Sequence, residues 1–187
     1  MPTPRLLVVV GSTRPGRAGL AVAHWFRDVA EARGDLAVEL ADLAEVALPL
    51  LDEPRQAVER RYAHDHTRRW SEVVERADAV AFVTPEYNHS YSAATKNAID
   101  YLYHEWRFKP FAVVSYGGQS RGLRASVALR TVLTGLAMVP AGDVAVSLAE
   151  CPIVDGVFQP TEAVTTTATR VLDQLRTLAP LHRARRD

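Results

Sequence analysis

At 187 residues, 48% of them apolar, the chain has the size and composition of one ordinary folded domain, so disorder is excluded as the default. Lys plus Arg equals Asp plus Glu at 22 each, which leaves no global field to attract nucleic acid or an anionic membrane. The single cysteine, Cys151, excludes an internal disulfide and a multi-cysteine metal site, and is expected to be a structural thiol.

The first apolar run, Leu6-Leu7-Val8-Val9-Val10, is too short for a membrane span or a complete signal peptide, so a soluble cytoplasmic protein is expected. Its β-branched character predicts a strand buried on both faces. A glycine-rich loop follows, then a helix over 20–33 with Val22, Phe26 and Val29 on one face and Gly34 as its stop. Residues 36–40 predict a second strand, at a sheet edge. Residues 42–64, broken by Pro49 and Pro54, predict a long ordered loop with a short helix around 56–62, of the kind that serves a site or an interface. Trp70, Val73, Val74 and Ala77 recur at helical spacing. Residues 78–83 predict a third strand buried on both faces, and 93–102 a helix. Residues 111–115 predict a fourth strand, followed by a helix carrying Leu129, Val132, Leu133 and Leu136. Residues 144–148 predict a fifth strand, and 161–178 a last helix with Val164, Ala168, Val171, Leu175 and Leu178 as its stripe. The basic end, Arg183-Ala184-Arg185-Arg186, reads as a solvated tail.

Five strands alternating with five helices imply parallel pairing through right-handed crossovers. The expected fold is an α/β three-layer sandwich, a single domain over 1–187, with a five-stranded parallel sheet in the flavodoxin-like order 2-1-3-4-5. In that order the topological switch lies between strands one and three, and the three richest loops, after strands one, three and four, converge on one edge of the sheet.

The first loop, Gly11-Ser12-Thr13-Arg14-Pro15-Gly16-Arg17-Ala18-Gly19, reads as an anion cradle. Its glycines allow close backbone approach, its hydroxyls and guanidinium forks match phosphate oxygens, and the following helix points free amides at the same place. A plain Gly/Pro connector with two solvated arginines is the bland alternative. Gly11 and Gly16 have the spacing of a nucleoside-triphosphate loop, but Arg17-Ala18 replaces its Lys-[Ser/Thr], which argues against an NTPase. The dinucleotide fingerprint lacks its middle glycine, since position 13 is Thr, although Asp42 falls near the place of an acidic ribose ligand. The third-strand loop, Thr84-Pro85-Glu86-Tyr87-Asn88-His89-Ser90, offers a stiffened turn, an aromatic face and an amide, which suits a planar heterocycle. An ordinary strand-to-helix turn is the alternative there. Gly117 and Gly118 would let backbone amides reach the polar edge of such a ring. One terminal phosphate joined to a planar ring system fits this set best, and FMN has that shape.

With these motifs in place the chain resembles the NADPH-dependent FMN reductase family, the flavodoxin-like quinone, azo and chromate reductases. The matching pieces are Gly11-Ser12-Thr13-Arg14, Thr84-Pro85-Glu86-Tyr87-Asn88, Lys96-Asn97-Ala98-Ile99-Asp100 and Gly117-Gly118, in order over roughly the first 140 residues. The resemblance implies non-covalent FMN, NADPH or NADH as co-substrate, and a homodimer or homotetramer with the flavin near a subunit boundary. It also implies that Ser12, Arg14, Arg17, Ala18 and Gly19 hold the phosphate. Pro85, Glu86, Tyr87 and Asn88 would line the isoalloxazine, with Ser115, Gly117 and Gly118 at its edge. Many family members carry Ser and Asn late in the first loop where this chain has Arg17-Ala18-Gly19, which shifts those contacts toward guanidinium and backbone amide.

The expected activity is transfer of a hydride from NAD(P)H through FMN to a quinone, free flavin, azo compound or similar acceptor, in ping-pong order and without a catalytic acid–base side chain. A flavin- or nucleotide-binding regulatory module is the alternative. Lys96, Asn97 and Asp100 are expected to anchor their helix. Tyr101, Tyr103, His104 and Trp106 either cover a neighbouring subunit's flavin or form ordinary aromatic packing. His64 and His66 are expected to be surface histidines, not metal ligands.

Overall fold

The computed structural model describes residues 3–183. The sheet has five parallel strands in the order β2-β1-β3-β4-β5: β1 Arg5–Val10, β2 Ala37–Asp42, β3 Ala79–Pro85, β4 Pro110–Gly117 and β5 Val139–Ser147. The three central strands are the three near-continuous apolar runs, because each is covered on both faces. Alternate residues of one strand therefore serve two cores. On one face Leu6, Val8 and Val10, with Ala112, Val114 and Tyr116, pack under α1 (Gly19–Glu31) and α6 (Glu162–Arg183). On the other, Leu7, Val9, Phe82 and Val113 pack under α3 (Asp65–Arg76), α4 (Ala93–Asp100) and α5 (Leu123–Gly135). The expected three-layer architecture and strand order are those observed.

Several boundaries differ from expectation, each for a local reason. β5 begins at Val139, five residues earlier than predicted. Pro140, Gly142 and Asp143 hide this first half, which is tolerated because β5 is an edge strand with a bulge opposite Phe111/Ala112. The segment after it forms a small antiparallel hairpin, β6 (Ile153–Val154) and β7 (Val157–Phe158), turned by Asp155 at φ 49° and Gly156 at φ 79°. That Asp-Gly pair between apolar residues is a hairpin signal overlooked in the sequence. The last helix continues past Leu178 to Arg183, whose guanidinium bonds the carboxylate of Asp78 while its side chain stays partly exposed. The rest of the basic tail, 184–186, lies outside the described residues.

The 42–64 stretch holds a one-turn helix, α2 (Leu43–Val46), capped by the Asp42 carboxylate on Ala44 N, and a 3₁₀ turn at Ala57–Glu59 in place of the expected helix over 56–62. Asn97 ties the stretch to α4, accepting from Leu51 N at 2.9 Å and donating to Pro49 O. Lys96 pairs with Asp100 one turn along α4. Tyr101 and Trp106 belong to the chain's own core. The indole N–H groups of Trp70 and Trp106 donate to the carbonyls of Ala98 and Ile99 in the last turn of α4, where Ile99 O also accepts from Leu102 N at 3.2 Å. His66 bonds the Asp52 carboxylate and stacks on His64, and no cluster of metal-ligating side chains occurs among the described residues. Cys151 is buried and unpaired.

Candidate functional site

The carboxyl ends of β1, β3 and β4 meet as the topology requires, and hydrogen bonds join their loops. Gly11 N donates to Val83 O at 2.8 Å, and Ser92, the N-cap of α4, donates its hydroxyl to Gly11 O. A Cβ on Gly11 would lie 2.2 Å from Thr95 Oγ1, so the close approach of β1 to α4 admits only glycine there. Ser12, fully buried, shares a 3.0 Å hydrogen bond with the Tyr87 hydroxyl and so couples the first loop to the third-strand loop. Tyr87 to Ser90 is a tight two-residue hairpin with both backbone bonds formed. Asn88 and His89 hold the two positive φ values, 48° and 66°, that such a turn demands. Asn88 is therefore the turn former here, exposed at the tip and off the cavity wall.

Between these loops lies an open cavity of about 240 Å³. Arg14, Gly16, Arg17, Ala18, Pro85, Glu86, Tyr87, Tyr116, Gly117, Gly118 and Leu148 line it. Eight of the twelve residues singled out in the sequence thus meet on one wall: Arg14, Arg17, Ala18, Pro85, Glu86, Tyr87, Gly117 and Gly118. The other four support it from behind or stand beside it. Ser12 is bonded to Tyr87, Gly19 is buried at the start of α1, Asn88 is at the hairpin tip, and Ser115 is fully buried with its hydroxyl on Arg121 O at 3.1 Å.

Three charged groups divide by what they already bind. Arg17 donates to Ser12 O at 2.8 Å and to both oxygens of the buried Asp42 carboxylate. Its fork is spent on the loop itself, and Asp42 is equally spent on Arg17 and Ala44 N, so the carboxylate is not presented to a ribose. Glu86 caps α5 from outside the helix. It accepts from Arg124 N at 3.1 Å and pairs with the Arg124 guanidinium at 3.0 Å. Burial alone would raise its carboxyl pKa, but hydrogen bonds from Ser120, Arg124 N and Ala125 N, with the Arg124 charge, outweigh burial and hold it below the ordinary glutamate value. Arg14 stands exposed on the cavity wall with no carboxylate partner among the described residues.

Other features suit an anion and a flat ring. Ala18, the N-cap of α1, supplies no side-chain acceptor, and the first turn carries no acidic residue, so nothing of the helix's own quenches its positive end. The Tyr116 hydroxyl is buried beside this end and has no hydrogen-bond partner among the described residues. A Cβ on Gly118 would meet nothing within 4 Å, so the chain itself does not require glycine there and a ligand lying close to the backbone would. An orphaned hydroxyl, an uncapped helix start, an arginine without a carboxylate partner and a bare backbone strip fit a phosphate and ring of FMN's shape. Tyr116 was missed in the sequence. Counting alternate residues along β4, from Ala112 through Val114, would have placed it on the α1 face.

A second opening, of about 490 Å³, lies on the other side of the first loop. It is lined mainly by apolar residues of α2, the following loop and α4, including Leu43, Leu48, Leu50, Ala94 and Ala98. Leu50 is 83% exposed. No described helix is long and apolar enough to cross a membrane.

The profile of the NADPH-dependent FMN reductases matches residues 4–152, which contain the whole cavity wall. An NAD(P)H-dependent FMN reductase of Schizosaccharomyces pombe is 38% identical over 161 residues, covering 84% of this chain and 80% of that protein. A quinone reductase of Pseudomonas putida is 36% identical over 137 residues, covering 70% of each. Among solved structures, the flavoenzyme NAD(P)H:(acceptor) oxidoreductase FerB of Paracoccus denitrificans superposes with a TM-score of 0.72 at 25% identity, covering 96% of this chain and 98% of its own. The chain belongs to the NADPH-dependent FMN reductase family, an oxidoreductase with FMN as its flavin and NAD(P)H as its co-substrate.

Proposed function

We propose that the chain passes a hydride from NAD(P)H to a quinone, free flavin, azo compound or similar small acceptor in ping-pong order, at the cavity between the β1, β3 and β4 loops. The single observation that carries this reading is the convergence of Arg14, the α1 start, the Pro85–Tyr87 backbone and Gly117-Gly118 on one wall. FMN, when bound, supplies the acceptance and donation of the hydride, so no side chain is needed as acid or base.

The chain's own residues bind and orient. Arg14 and the amides of Ala18 and Gly19 receive the phosphate, and Arg17 acts behind them as a strut that fixes the loop through Ser12 and Asp42. Pro85, Glu86 and Tyr87 present backbone and an aromatic face to the ring. Glu86 also ties the end of β3 to the start of α5 through Arg124. The cavity is open to solvent along one side, which supports successive use of one place by donor and acceptor. The quinone reductase relative supports the acceptor class. We also propose a homodimer or homotetramer. The exposed Leu50 and Leu51 beside an apolar opening next to the first loop support a second copy on that face.

Steady-state kinetics with NADPH and a quinone test the order of events. Parallel double-reciprocal lines are expected, and intersecting lines that require both substrates bound together would reject it.

A further inference from the structure

We infer that the hydroxyl of Tyr116 is a ligand of the flavin's phosphate, and that the chain keeps this group unsatisfied in its core for that purpose. The inference rests on the FMN reading above and adds to it a residue that no motif marks.

Tyr116 is 4% exposed, and its hydroxyl oxygen is buried without a hydrogen-bond partner among the described residues. A buried hydroxyl left unpaired is costly, and native chains rarely keep one without a use. The internal polar group facing the Tyr116 hydroxyl is the Ser12 hydroxyl, which acts on the phenol but forms its own hydrogen bond, at 3.0 Å, with Tyr87. Gly19 faces the phenol directly: a Cβ there would come within 2.4 Å of the hydroxyl oxygen. The absence of that Cβ opens the phenol toward the first turn of α1, a 13-residue helix with no side-chain cap. Tyr116 also lines the same cavity as Arg14, Arg17 and Ala18. Its position is fixed from both sides, since Glu86 N donates to its carbonyl at 3.2 Å and its ring packs in the core under α1. Burial pushes the phenol up to about 12, with Ser12 acting in the opposite sense, so at neutral pH the group is an O–H donor. A neutral donor, an uncapped helix start and Arg14 together give a phosphate dianion complementary groups without an unpaired carboxylate nearby.

The test compares FMN with riboflavin, which has the same ring and no phosphate, on purified full-length protein stripped of flavin. Tyr116→Phe removes one oxygen and keeps the ring. Its dissociation constant for FMN is expected to rise by roughly tenfold or more, as for a hydrogen bond to a charged group. Its constant for riboflavin is expected to stay unchanged, and its flavin-free melting temperature to stay level or rise because a buried unpaired hydroxyl is gone. Equal weakening of both flavins, or no weakening of either, would overturn the assignment. A wild-type protein that binds FMN no better than riboflavin would instead overturn the phosphate reading of the whole loop. Gly19→Ala provides a second route should Tyr116→Phe fail to fold. Its Cβ would displace the hydroxyl, and the same selective loss of FMN is expected; selective loss of riboflavin or equal loss of both overturns the inference.

Discussion

Replacing Arg17 with Ala separates a strut from a ligand. Arg17 makes three hydrogen bonds: one to Ser12 O at 2.8 Å, and two to Asp42, whose side chain is 2% exposed. Removing it leaves Asp42, among the described residues, with only Ala44 N, at 3.0 Å, as a donor. Breaking one side of a buried pair costs about 3–5 kcal/mol. The Arg17 side chain is 15% exposed, so water can partly reach the vacated space and the lower end applies, about 3 kcal/mol. For a chain of 187 residues that corresponds to a melting temperature lower by about 6–12 °C, at roughly 2–4 °C per kcal/mol. The assay is thermal unfolding of the flavin-free protein, where phosphate plays no part. Arg17→Met combined with Asp42→Leu should recover more than half of the loss, because no buried charge is then stranded. If flavin-free Arg17→Ala melts within about 2 °C of wild type and yet FMN binding collapses, Arg17 is a phosphate ligand and the strut assignment is wrong.

Arg14→Ala should show the converse: stability within about 0.5 kcal/mol of wild type and FMN affinity weaker by about 1.5–3 kcal/mol, measured by flavin fluorescence titration. Unchanged affinity would remove Arg14 from the phosphate site. Glu86 titrates below the ordinary glutamate range in the folded chain, so its stabilisation is complete above the unfolded value and fades as pH falls through the folded one. The melting-temperature gap between wild type and Glu86→Gln should therefore be present at neutral pH and shrink as the solution is acidified below the ordinary glutamate value; a gap of constant size would contradict the cap. Gly122 has φ +76°, and a Cβ there would sit 2.6 Å from Tyr116 N, so Gly122→Ala should cost at least about 1–3 kcal/mol in denaturant unfolding. A neutral effect would mean that the loop after β4 has another accessible conformation.

The sheet was legible wherever burial on both faces removed alternation and left an apolar run, as in β1, β3 and β4. It was illegible where edge exposure let Pro140 and Gly142 into a strand, while the β6–β7 hairpin, two residues a side, was marked only by its Asp155-Gly156 turn. The 42–64 stretch has no period because tertiary bonds order it, from Leu51 N to the Asn97 amide oxygen and from the Asn97 amide to Pro49 O. The site was legible as loops and illegible as roles, since a motif marks residues alike whether their bonding is complete or open. Glu86, Ser115, Ser12 and Arg17 all carry the pattern, and in the folded chain each bonds another part of the chain: Arg124, Arg121 O, Tyr87 and Asp42. Arg14, the start of α1, Gly118 and Tyr116 are left with unanswered chemistry. On the proposed reading, ligand recognition comes from that second set, because a group already satisfied at full strength gains little by exchanging partners. The first set holds the second in place, so its loss should appear in folding before it appears in flavin affinity. This is why Arg17 and Arg14, three residues apart on one loop and alike in charge, are expected to fail in opposite assays.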